Sequence, residues 1–186
     1  MTRTVLARSN EGSFDDVALT ERYAAWEEHR LSSSKSIITV YDRSKQRVAY
    51  RTVVDSLYPE LDLQRDGTLV VASEVSGRTC QSLALSLASP ARPRLRPLGA
   101  VATGDKVRLA GGSVAYTRIV SCDHASNPQL VVRQLGGPTT VVAGGEGQPE
   151  PLLERFDFDG RRVAYFATVI GGDGKRKLLL FVARVR

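Results

Sequence analysis

The stretch Phe156-Asp-Phe-Asp-Gly-Arg-Arg-Val-Ala-Tyr165 has a pattern that recurs along the chain. Two apolar residues, two apart, lead into a polar or glycine turn, and a short apolar run follows. The same skeleton appears in Val17-Ala-Leu-Thr-Glu-Arg-Tyr-Ala-Ala-Trp26 and in Val107-Arg-Leu-Ala-Gly-Gly-Ser-Val-Ala-Tyr116. A fourth copy, slipped by a residue in its turn, is Leu61-Asp-Leu-Gln-Arg-Asp-Gly-Thr-Leu-Val-Val-Ala72. The ungapped copies start at 17, 107 and 156 and the slipped one near 61, a step of about 45 to 49 residues. A fixed period of that size marks a stacked-repeat architecture.

Period-2 alternation and β-branched runs fill the units with short strands. In the first unit the pattern predicts strands over Ser36–Tyr41 and Arg47–Val54, and a polar loop over His29–Ser36. Ser13 to Arg30 reads two ways. Ser13 with Asp16 resembles a helix capping box, whereas the match to 107–116 and 156–165 favours two strands, Asp16–Leu19 and Arg22–Glu27. The second unit reads as Leu61–Leu63, Thr68–Val75, Leu83–Leu87 and Leu95–Leu98. Pro90 and Pro93 place Ala88–Pro93 in a loop, and Pro97 implies an edge strand. The third is Val107–Leu109, Ser113–Val120, Leu130–Leu135 and Thr139–Ala143. The fourth has three strands, Leu152–Phe158, Val163–Ile170 and Lys177–Val185.

Four short antiparallel strands per unit at this period predict an all-β fold, a small β-propeller of about four four-stranded blades. One domain over 1–186 is expected, with blades at about 13–54, 61–98, 107–143 and 152–185 plus 2–8. A sheet edge left open at the seam is a liability, so Thr2–Arg8 is expected to pair beside Leu178–Arg184 and complete the last blade. The alternatives are a piece of a longer propeller, or chains that associate to complete a ring.

The turn and the apolar triplet ending in an aromatic resemble the TolB-like propeller repeat. Asp159-Gly160 with Val163-Ala164-Tyr165 matches it, as does Gly111-Gly112 with Val114-Ala115-Tyr116. Asp66-Gly67 with Val70-Val71-Ala72 lacks the aromatic, Thr20-Glu21-Arg22 with Ala24-Ala25-Trp26 lacks the Asp-Gly, and no copy has the Ser-Pro that usually precedes it. The resemblance implies a propeller with a general binding role, often in exported bacterial proteins, and carries no catalytic residues.

The 42% apolar and 25% charged shares are those of an ordinary globular domain, and no apolar run is long enough to span a bilayer. The start of the chain lacks the apolar core of a signal peptide, which leaves a cytosolic protein or an exported one whose leader is gone. A net charge of +6, mostly arginine, raises an anionic partner, but the arginines are spread along the chain, so nucleic acid is the less favoured reading. The expected partner is a protein or small-molecule ligand of unknown identity.

Antiparallel order places the loops between second and third strands at the same end as the inter-blade links. That end collects Glu27–Ser36, Ser76–Cys80, Ser121–Asn127 and Gly171–Arg176. Long loops on a rigid scaffold are where binding sits. The candidate contact residues on this face are His29, Arg30, Asp123, His124, Lys175 and Arg176. Cys80 and Cys122 fall in equivalent loops of neighbouring blades, so a disulfide and two free thiols both stay open, and a disulfide would favour export. Cys122-Asp123-His124 offers thiolate and imidazole but no third group to orient a nucleophile. Asp157-Phe-Asp159-Gly160 opens like a calcium loop, yet Arg161 and Arg162 follow where oxygen ligands are needed. No catalytic residues, metal or cofactor are implied. The expected function is a non-catalytic binding or scaffold module using the long-loop face. The alternatives are a hydrolase or lyase with its site at the channel mouth, or an anion-binding module.

Overall fold

The computed structural model describes residues 12–30, 33–56, 59–74, 83–102, 106–119, 128–144, 149–172 and 174–185. These residues form sixteen strands in four antiparallel sheets. The first sheet holds β1 (Gly12–Ser13), β2 (Val17–Leu19), β3 (Tyr23–Arg30), β4 (Ser36–Asp42) and β5 (Arg47–Val54). The second holds β6 (Glu60–Leu63), β7 (Leu69–Glu74), β8 (Leu83–Ser89) and β9 (Arg92–Ala102). The third holds β10 (Val107–Ala110), β11 (Ser113–Ile119), β12 (Pro128–Gln134) and β13 (Thr139–Ala143). The fourth holds β14 (Glu150–Phe158), β15 (Arg162–Ile170) and β16 (Arg176–Arg184). Apart from β1, which pairs with β3, neighbouring strands in a sheet are consecutive in the chain, and the innermost strands β2, β6, β10 and β14 pack successively against one another. This is a small β-propeller. The strand expected at Thr2–Arg8 lies outside the described residues.

The stretch open to two readings is extended. Val17, Ala18 and Leu19 pair with Trp26, Ala25 and Ala24. Gly12 and Ser13 pair with Arg30 and His29 at the other end of β3, so β1 and β2 are one inner strand interrupted at Phe14–Asp16. The local capping signal loses because β3 buries Tyr23, Ala24 and Ala25 in the sheet, and tertiary burial outweighs a single cap. Two further expectations are corrected. β3 runs through Arg30, so His29 is a buried strand residue and not part of a polar loop, and Glu27, the expected end of its strand, is buried inside it. Ala88–Pro93 is not a loop either. Ser89 pairs with Arg92 around a two-residue Pro90-Ala91 turn, and Pro93 lies inside β9. β9 is the last strand of its sheet, so a proline without an N–H is tolerated there, as expected for Pro97.

The core lies between sheets. One cluster joins the first two, through Tyr23, Ala25, Ile38 and Val40 against Leu61, Leu63, Leu69 and Val71. A second joins the next pair, through Val70, Ala72 and Leu85 against Val107, Leu109 and Tyr116. A third sets Ala115, Leu130 and Val132 against Phe156, Phe158 and Tyr165. Each blade thus offers one set of repeat positions backward and another forward. The hairpin turns follow the same rule. The Gly111 and Gly160 turns of neighbouring blades nearly touch, and a Cβ on Gly160 would lie 3.0 Å from the Gly111 backbone. Only glycine permits both that approach and the φ of +92° at Gly160. Among the described residues the first and fourth sheets make no extended contact.

Candidate functional site

Inner strands run from the link-bearing end toward the short hairpins. Their first residues therefore lie together at the link-bearing end, on the inner side of the blades. A cleft of about 440 Å³ opens there between the first three blades. Its charged lining comes from Asp16, Glu60, Asp62, Lys106 and Arg108.

Three of these groups hold the blades together. Asp16 sits at the break between β1 and β2. One carboxylate oxygen accepts the Val17 N–H at 2.7 Å, and the other accepts the Leu61 N–H of the next blade at 2.8 Å. Asp62 repeats the device one blade on, accepting the Leu109 N–H at 2.6 Å. Burial pushes the Asp62 carboxyl above the usual range, and the Leu109 and Leu63 N–H groups pull it back. An inner strand would otherwise present unpaired backbone donors at its open edge, and these carboxylates cap them. In the third blade the equivalent position is Arg108. It donates instead, to Asp157 Oδ1 at 3.2 Å. Lys106 lies 5.7 Å over the Phe156 ring, and burial draws its amine below the ordinary lysine range.

The sequence reading missed this ring. Its signal was present in the repeat, where Asp62, Arg108 and Asp157 share one position between two apolar residues, and Asp16, Glu60 and Lys106 share the position two residues before it. Charge at a fixed repeat position marks a shared environment. The Asp157-Phe-Asp159-Gly160 segment is accounted for in the same way. Asp157 pairs with Arg108, while Asp159 caps its own turn through the Arg161 and Arg162 N–H groups.

The residues expected to form a site are distributed otherwise. His29 is buried in β3, where it pairs in register with Ser13 and Ser36. Arg30 ends β3 opposite Gly12. Lys175 lies in the β15–β16 turn, where its carbonyl accepts the Gly171 N–H at 2.9 Å, and Arg176 opens β16. These two belong to the fourth sheet and His29 to the first. Asp123, His124, Cys80 and Cys122 lie outside the described residues. Among the described residues no group of three His, Cys, Asp or Glu side chains is placed to hold a metal ion. No helix among them is long and apolar enough to cross a membrane.

His29 has a buried neighbour of consequence. Glu27 shares its strand face and is fully inaccessible. The matching positions in later blades are Ala72, Thr117 and Phe166. Burial pushes the Glu27 carboxyl up, and the Ser36 hydroxyl, the Asp15 backbone and His29 offset part of the shift. A folded-state pKa above the unfolded one contributes stability that is full at low pH and lost as pH rises through the folded value. Glu27→Gln is therefore expected to match the wild type near pH 4 and to become the more stable of the two toward pH 8. Urea denaturation at several pH values reads this directly, and a difference that does not vary with pH would refute it.

No family model matches the chain, and no curated protein matches it. Solved structures do. An acylaminoacyl peptidase in complex with a chloromethyl ketone matches at 8% identity with a TM-score of 0.58, over 95% of this chain and 32% of that one. The β-propeller domain of the Trilobed protease from Pyrococcus furiosus matches at 8% identity with a TM-score of 0.44, over 96% of this chain and 72% of its own length. This chain thus spans about a third of the peptidase. At that identity the likeness concerns fold alone.

Proposed function

We propose that the protein is a non-catalytic binding module. It takes a polar ligand bearing both signs of charge, such as the exposed end of a polypeptide, on its link-bearing face. The observation that carries this reading is the mixed-charge cleft between the first three blades, with Asp16, Glu60 and Asp62 beside Lys106 and Arg108. Asp16 and Asp62 are tied to backbone N–H groups and Arg108 to Asp157, which makes the cleft a preorganised surface. Charges of both signs at one spot fit a zwitterion better than a polyanion, although the whole chain carries +6. The TolB-like resemblance of the repeat, with its general binding role, supports the same reading.

The second reading is a hydrolytic one, and the likeness to a peptidase is what keeps it in view. In that reading the cleft itself carries the hydrolytic site, on a chain that spans 32% of that relative.

Titration with triglycine bearing free termini, followed by amide NMR, separates the two. Saturable shifts at Val17, Leu61 and Leu109, lost in Lys106→Met, are the expected result. Absence of shifts at those amides sinks the binding site. Release of glycine over time would move the assignment to the hydrolase.

A further inference from the structure

Register fixes which side chains of a blade meet the blade before it and which meet the blade after it. The backward-facing pair of the inner strand is Leu61 and Leu63, Val107 and Leu109, then Phe156 and Phe158. All six are buried. In the first blade the same positions are Val17 and Leu19, and they are 71% and 68% exposed. The forward-facing pair of the third strand is Leu130 and Val132 in the third blade, both buried against the fourth. In the fourth blade the same positions are Leu180 and Val182, at 61% and 65% exposure. Leu178, Phe166 and Ile170 extend that open face.

The two open faces are therefore the two halves of an interface that the chain already forms three times within itself. They are complementary by construction, one backward and one forward. We infer that a second copy of this chain covers them. The fourth blade of one copy packs on the first blade of the other, and the reciprocal contact closes a two-copy ring. Each contact is heterologous, joining different surfaces, and two such contacts related by a two-fold axis leave no apolar face open. Charge agrees with the docking. Glu28 lies on the backward face of the first blade at its link-bearing end, paired in register with Ile37. Arg176 lies on the forward face of the fourth blade at the same end, paired with Ile170.

The test is the solution mass of the purified chain by light scattering over a range of concentrations. Twice the 20.2 kDa chain mass is expected. A monomer at every concentration overturns the inference, and so does an open ladder of masses. Leu19→Glu and Leu180→Glu each change an exposed side chain, and circular dichroism checks that both variants stay folded. Each is expected to weaken the dimer about 100-fold or more, since a carboxylate would be buried in an apolar contact. Mixing the two variants is the sharper test. A mixed pair keeps one contact free of either substitution, so it should associate more tightly than either variant alone. If mixing restores nothing, the contact is not between the first and fourth blades.

Discussion

Gly144→Ala is expected to destabilise the protein by at least ~3 kcal/mol, the sum of left-handed strain and an unrelieved clash. Gly144 follows β13 at φ +81°, a conformation that costs an L side chain. A Cβ there would also sit 1.9 Å from the Pro128 carbonyl oxygen. The contact is with backbone, so no rotamer can relieve it. Pro128 opens β12, and β12 and β13 already take a register shift between Leu130 and Val131. Moving that carbonyl disturbs the strand that carries the third blade's forward face. For a chain of this size the midpoint should fall by roughly 6–12 °C. Gly112→Ala is the control. Its φ is +72°, yet nothing lies within 4 Å of the added carbon. It should cost only the backbone term, about 1 kcal/mol. Equal midpoints for the two variants would show that the close approach at Gly144 has no energetic weight.

The second large effect compares two leucines at one repeat position. Leu130 is fully buried between the third and fourth blades, and Leu180 is 61% exposed. Leu130→Ala should cost about 2–5 kcal/mol, through lost transfer energy and the cavity left behind. Leu180→Ala should change the stability of the single chain by no more than about 0.5 kcal/mol. Its effect should appear in association, where the second copy supplies the missing neighbour. Denaturant melts at low protein concentration separate the two. A large loss for Leu180→Ala under those conditions would mean that the same chain already covers this face.

Much of the strand order was legible because the repeat writes it four times. A short apolar pair, a turn and an apolar run are local features, and their spacing survives where single signals mislead. Ser13 and Asp16 form a good cap by local rules, but the repeat match pointed to strands, and burial of Tyr23, Ala24 and Ala25 decides for them. Pro93 was misread because proline's cost depends on which side of a strand faces a partner, and that is a property of the sheet. Local polarity puts His29 in a loop and Glu27 at a strand end, because polar side chains are usually solvated. In the fold they sit where Tyr23 and Ala25 continue the same strand face, between two blades. The charged ring went unread for a related reason. Asp16 and Asp62 serve backbone groups 45 and 47 residues away, and no local window spans that distance.

Alternation and turn spacing along the chain sufficed for the all-β class, the period and the number of units. These depend on local alternation, turn residues and the recurrence of one skeleton, all readable along the chain without knowing what packs against it. Packing between blades settles which polar side chains are buried, which carboxylates cap which strands, and that the first and last blades present apolar faces. Those outcomes depend on what stands beside a residue from another blade. Val17, Leu19, Leu180 and Val182 fit the repeat as well as their buried counterparts do. What separates them is the presence or absence of a neighbouring blade, which no residue within a repeat records.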